Sequence, residues 1–133
     1  MTDLTPDDLS EGTTVVHERT FTPEDVRTFT TVSGDEGDHH VETDDEGRLL
    51  VQGLLTATLP TKVGGDLNVL ASRMEYEFRR PVYTGQHVSC EVTFTEVEHG
   101  DERVSVLADF EATRTDDGTV VMAGLFEGII RHE

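Results

Sequence analysis

The chain reads as an α+β fold in which a curved antiparallel sheet of about five strands wraps around one central apolar helix. Three observations carry this expectation. A strongly capped helical segment stands at residues 21–34. The stretch "VQGLLTATLPTKVGG", residues 51–65, is apolar on most sides. From residue 69 onward, period-two alternation of polar and apolar residues recurs and ends in a run that is apolar on both faces. An apolar helix needs cover on most sides, and one-faced strands supply it. The 133 residues read as a single domain, 1–133, long enough to bury about 65–70% of the surface an unfolded chain exposes.

Each element follows from local signals. "TTVVHERTF", residues 13–21, reads as a first strand. In "FTPEDVRTFTTVSG", Thr22 is a suitable N-cap, Pro23 fits the first helical position, and Asp25 completes a capping-box pair. Phe21 and Val26 stand at the positions of a hydrophobic staple. Val26, Phe29 and Val32 form the helical stripe, and Gly34 is the stop. The second helix carries Leu54, Leu55, Ala57, Leu59 and Val63 around its surface, so it reads as buried, with a kink or break expected at Pro60. Met74, Tyr76 and Phe78 then alternate with charged residues. Val88, Cys90, Val92 and Phe94 share a face, and Val97 leaves that phase, which predicts a bulge near Thr95. Val104, Val106, Ala108, Phe110 and Ala112 form the next apolar face, followed by a hairpin turn with Asp117 and Gly118 at its tip. "VVMAGLFEGII" is apolar on both faces and should be a central or covered strand.

Charge narrows the function. Asp and Glu number 28 against 10 Lys and Arg, a formal net charge of −18, and Lys62 is the sole lysine. Phosphate-backbone binding depends on clustered basic side chains, so a nucleic-acid partner is disfavoured. The regular apolar pattern excludes a disordered acidic chain. Dense carboxylates with few lysines suit a protein working in high salt, where charge is screened over about 3 Å at 1 M. Cys90 is the single cysteine, which rules out an intramolecular disulfide and a cysteine-based zinc motif. It reads as a small buried hydrophobe. The acidic start "MTDLTPDDLSEG" is unlike a signal peptide, and no apolar run approaches the roughly 18 residues of a membrane helix. A cytoplasmic protein without a membrane partner is expected.

"SGDEGDHHVETD", residues 33–44, admits three readings: a solvated connection, a metal site using Asp38, His39 and His40, or a catalytic loop. In a helix, residues five apart point about 140° from one another. Asp35 and His40 therefore converge only if the chain turns between them, which Gly34 and Gly37 permit. His39 reads as an exposed neighbour, and His17, His87, His99 and His132 as surface residues without partners. Gly64 and Gly65 lack the context of a phosphate loop.

The order "FTPEDVRTFTTVSGD", "VQGLL" and "YEFRRPVYTGQHVSCEV", spanning residues 21–94, resembles the MaoC-like dehydratases and (R)-specific enoyl-CoA hydratases. The resemblance implies the hot-dog fold, a curved antiparallel sheet around a central helix. The hydratase signature Asp-x-Asn-Pro-x-His falls on "DEGDHH", which places Asp35 and His40 on the catalytic pair. The family's His-Gly at the head of the central helix falls on Gln52 and Gly53, and its Arg/Pro-x-x-x-Gly-Asp segment is echoed by "RPVYTGQ". Gly37 and Asp38 replace the Asn-Pro pair, and Gln52 replaces the histidine.

What the resemblance implies is a hydro-lyase that adds water reversibly, with syn geometry, to a trans-2-enoyl-CoA. Asp35 and His40 would hold and activate the water, and the Gly53 backbone N–H would stabilise the enolate oxygen. Thr61 is a candidate to reach the substrate from the same helix. Arg79 and Arg80, with Arg73 and Lys62, are candidates for the coenzyme A phosphates. No metal and no cofactor are implied. A homodimer is expected, because the sheet leaves an open edge strand that a symmetric partner would cover. The alternative is a non-catalytic acyl-CoA-binding protein or an acyl-CoA thioesterase of the same fold. Thioesterases of this type place a carboxylate on the central helix, and residues 53–63 contain none.

Overall fold

A computed structural model of the chain describes residues 4–132. Five antiparallel strands form one sheet: β1 (Thr14–Thr20), β2 (Leu70–Phe78), β3 (His87–His99), β4 (Arg103–Arg114) and β5 (Val120–Arg131), in the order β1-β3-β4-β5-β2. The helices are α1 (Pro23–Ser33), the single turn α2 (Asp38–Val41), α3 (Gly53–Thr56) and α4 (Thr58–Asp66). The buried side chains Leu55, Leu59 and Val63 of α3 and α4 share one core with Val88, Cys90, Val92 and Phe94 of β3 and with Val104, Val106, Ala108, Phe110 and Ala112 of β4. β5 lies between β4 and β2, the position that its two apolar faces require.

Local signals carried the best-formed elements. Thr22 caps α1, its hydroxyl accepting from the Asp25 N–H at 3.1 Å while Asp25 accepts from the Thr22 N–H at 2.9 Å. Phe21 and Val26 are both fully buried. Gly34 ends the helix at φ 74, a left-handed conformation that only glycine adopts freely. In β3 the register shifts between Phe94 and Glu96, and Val97 returns to pack against the core.

Three expectations need correction. Val32 is 79% exposed, because α1 lies against the body from Val26 to Thr30 and its last turn does not; Val26 is its one buried residue. The central helix breaks at Ala57 rather than at Pro60. Pro60 stands in the first turn of α4, where the missing N–H has no intrahelical acceptor to lose. Finally, Met74 and Phe78 of β2 and Leu54 of α3 remain substantially exposed, since β2 is an edge strand that the helix covers only in part. Among the described residues, no helix is long and apolar enough to cross a membrane.

Candidate active site

The acidic loop folds by short-range hydrogen bonds. Beyond Gly34, the Asp35 N–H donates to Ser33 Oγ at 3.0 Å, and the Gly37 N–H reaches Asp35 Oδ1 at 3.4 Å. The chain turns at Gly37 into α2, with the His40 N–H donating to Gly37 O at 2.8 Å. That turn brings the two residues together: His40 Nε2 lies 3.4 Å from Asp35 Oδ2. The His40 ring is buried while the Asp35 carboxylate is half-exposed.

His40 is oriented from behind. Its Nδ1 lies 2.7 Å from Leu50 O. A carbonyl oxygen only accepts, so Nδ1 carries the proton and, in the neutral ring, Nε2 presents its lone pair to Asp35. Two acceptors 3.4 Å apart leave no room for an atom between them, but one donor beside them can bond both, and a water is the natural one. The Leu50 N–H donates to His39 O at 3.0 Å, which ties α2 to the strand-like segment before α3. The loop between them is clamped by Arg48, whose guanidinium bonds Asp44 at 2.9 Å and lies 4.2 Å over the Tyr83 ring. The Arg48 N–H, first among several donors, holds the Asp44 carboxyl below the usual range.

Beyond Leu50 opens a groove of about 330 Å³ bounded by Gly53, Thr56, Phe78 and Val82, with Arg79 and Arg80 on its wall. Asp35 and His40 do not line this groove; Leu50 joins the two, its carbonyl holding His40 while the residue forms part of the groove wall. Gly53 heads α3, and its N–H has no partner among the described residues. A Cβ at this position would stand 3.0–3.2 Å from the Phe78 ring, so any larger residue would push that ring aside by a few tenths of an ångström. Since α3 is one turn long, Gly53 offers its N–H rather than a long helix's dipole.

The remaining candidates divide. Arg79 is paired with Glu77. Arg80 donates to Arg79 O at 2.7 Å and makes no ion pair among the described residues. Thr61 is not brought to this groove: its hydroxyl donates to Ala57 O at 3.0 Å, and it lines a second, smaller groove between α4 and β2. Lys62 is bound to Asp66 at 2.6 Å beside β1, and Arg73 pairs with Glu75, so neither faces Gly53. The central helix does carry a carboxylate after all, because α4 extends to Asp66, but Lys62 holds it and Asp66 borders the cavity at β1. Two residues of the site were not among the candidates: Phe78 stood out only as one member of an alternating strand face, and Gln52 only as a replaced histidine. Gln52 is buried, and its Nε2 donates to Val26 O at 3.2 Å and Thr30 Oγ1 at 2.9 Å, tying the head of α3 to α1.

Among the described residues, no group of three or more His, Cys, Asp or Glu side chains is placed to hold a metal ion. His39 is exposed and packs edge-on against His40 with ring centroids 4.1 Å apart. The other histidines have more partners than their sequence context suggests: His87 bonds Glu18 and Thr20, His99 bonds Leu9 O, and His132 bonds Gly100 O. His17 borders the cavity between β1 and α4.

No family model matches the chain, and no curated protein matches it by sequence. Solved structures do resemble it. The unliganded (R)-hydratase PhaJ1 of Pseudomonas aeruginosa superposes with a TM-score of 0.78 over 96% of this chain and 85% of that one, at 21% identity. The MaoC-like dehydratase from Rhodospirillum rubrum gives 0.73 over 96% of both chains, at 15% identity. The fluoroacetyl-CoA thioesterase FlK gives 0.64 over 92% and 88%, at 14% identity. The chain therefore has the hot-dog fold, shared by hydratases, dehydratases and a thioesterase. Fold likeness at these identities leaves the chemistry to be argued from the side chains.

Proposed function

We propose that the protein is an acyl-CoA hydratase or dehydratase, adding water reversibly across a trans-2-enoyl-CoA to give a 3-hydroxyacyl-CoA. The observation that carries this reading is the pair of acceptors, Asp35 Oδ2 and His40 Nε2, 3.4 Å apart with the imidazole locked by Leu50 O. A water held by both would have its two protons engaged and its lone pair free to attack Cβ. One of the pair takes a proton as the C–O bond forms and returns one to Cα on the same face. Charge builds meanwhile on the thioester oxygen, for which the free Gly53 N–H is the available donor. Arg80, unpaired at the wall of the groove beyond Gly53, suits a coenzyme A phosphate. The thioesterase alternative gains no support from Asp66, which Lys62 neutralises at 2.6 Å.

The proposal includes a homodimer in salt. β2 is an open edge of the sheet and exposes Leu70 and Met74 along it, which a second copy would cover. The net charge of −18 is best screened at molar ionic strength. The test is loss of enoyl-thioester absorbance with crotonyl-CoA in molar KCl, with light scattering on the same sample. Unsubstituted protein is expected to hydrate it. Asp35→Asn and His40→Ala should each lose about 10²–10⁴-fold in kcat while remaining folded. Inertness of the unsubstituted protein across short, long and branched enoyl-CoAs would overturn the hydratase reading. A scattering mass of one 14.7 kDa chain would overturn the dimer.

A further inference from the structure

The inner face of β2 carries three side chains in a row: Met74, Tyr76 and Phe78, opposite Phe126, Gly124 and Met122 of β5. A groove lies at each end of this row. Phe78 lines the groove at Gly53, of about 330 Å³. Met74 lines the second, of about 150 Å³, whose other walls include Pro60, Gly64, Ala71 and Phe126. This second groove is almost wholly apolar in its lining residues.

Between Met74 and the groove at Gly53, along the strand, stand two stacked rings. The Tyr76 and Phe78 rings are nearly parallel, 9° apart with centroids at 6.0 Å. Tyr76 is fixed on its far side by Phe110, at 5.4 Å between centroids, and its hydroxyl donates to Met74 Sδ at 3.6 Å. Phe78 is fixed by Gly53, on whose Cα face its ring rests. Phe78 nonetheless remains half-exposed, because its other face looks into the groove. Met74 to Phe78 is four residues of strand, about 13 Å at the usual rise, the length of roughly ten carbon–carbon bonds of extended chain. A path of that length along β2 would hold a medium-length acyl chain if the rings were not in it.

We infer that the stacked rings of Phe78 and Tyr76 are a chain-length stop, confining bound acyl groups to the groove at Gly53 and making the protein selective for short-chain acyl-CoA thioesters. The inference rests on the acyl-CoA reading above and adds the substrate's size class to it. A thioester whose oxygen met the Gly53 N–H would run its acyl tail along the groove that Phe78 lines. Removing that ring lengthens the groove toward Tyr76, and removing both rings joins it to the apolar groove at Met74.

The test separates binding from turnover. Affinities for butyryl-CoA and decanoyl-CoA, saturated and therefore unreactive to hydration, are measured by calorimetry in molar KCl for the unsubstituted protein, Phe78→Leu, Phe78→Ala and the double variant Phe78→Ala/Tyr76→Ala. The unsubstituted protein should bind butyryl-CoA at least as tightly as decanoyl-CoA. Phe78→Ala should raise the decanoyl-to-butyryl affinity ratio about tenfold, the effect of burying roughly two further methylenes. The double variant should raise it further, and Phe78→Leu, which keeps an apolar side chain and the fold, should fall between. A preference for decanoyl-CoA in the unsubstituted protein, or an unchanged ratio in folded Phe78→Leu and Phe78→Ala, overturns the stop. Size-selective binding without hydration of crotonyl-CoA sustains the stop and overturns the hydratase reading alone. Absence of binding to either thioester overturns both.

Discussion

Gln52 offers a test in which two opposing effects of similar size compete. Its side chain is 1% exposed. Nε2 makes two hydrogen bonds, to Val26 O and Thr30 Oγ1, while Oε1 is buried without a partner among the described residues. Replacing Gln52 by Leu removes both bonds, at about 1 kcal/mol each. It also removes a desolvated carbonyl oxygen whose unpaired burial costs about 1–3 kcal/mol. Neither partner is orphaned, because the Thr30 hydroxyl itself donates to Val26 O at 2.9 Å. Gln52→Leu should therefore change stability by no more than about 1 kcal/mol. Gln52→Ala loses the same bonds and leaves a cavity as well, so it should cost about 2–4 kcal/mol. Urea unfolding in molar KCl reads both, since urea is uncharged and leaves the ionic strength fixed; the slope should stay constant and the midpoint move. A loss above about 3 kcal/mol for Gln52→Leu would refute the reasoning, because it would mean that Oε1 has a strong partner and that the polar cluster is fully satisfied.

Two further outcomes follow from the titratable groups. The Thr22 N–H, more than any other contact, holds the Asp25 carboxyl below its ordinary range, so folding favours the ionised form. Its stabilisation is complete above the unfolded value of about 4 and is lost as pH falls through the lower folded value. Asp25→Ala should cost about 1 kcal/mol at pH 7, and the gap from the unsubstituted protein should close at acid pH; a gap independent of pH in urea titrations would contradict the capping argument. Cys90 is fully buried, and burial pushes its thiol up to about 12. The folded protein should therefore resist Ellman's reagent at pH 8 and react with one equivalent in urea, and stoichiometric labelling without denaturant would show that β3 opens.

How far the sequence could be read depended on whether its signals were local. Thr22, Pro23, Asp25 and Gly34 each act within one turn of helix, so the bounds of α1 could be read from the sequence alone, as could the bulge after Phe94, where a single residue breaks the period. Val32 failed for the complementary reason: a stripe shows which face is apolar but not how far along its length the helix touches the body. The same limit hid Phe78, whose alternation in β2 matched that of core residues, while its position at a sheet edge beside Gly53 is a tertiary fact. In the site itself, the five-residue spacing of Asp35 and His40 was readable, together with the need for a turn between them. The partner that aims the imidazole was not, because Leu50 contributes a backbone carbonyl, and any residue type would supply one. That asymmetry bears on the replaced Asn-Pro pair. With Gly37 and Asp38 in its place, α2 still begins at Asp38, and the Gly37 carbonyl accepts from the His40 N–H at 2.8 Å. The backbone turn that aims His40 is thus closed by main-chain atoms, and the 3.4 Å approach of Asp35 and His40 is set by a turn that does not use the side chains at positions 37 and 38.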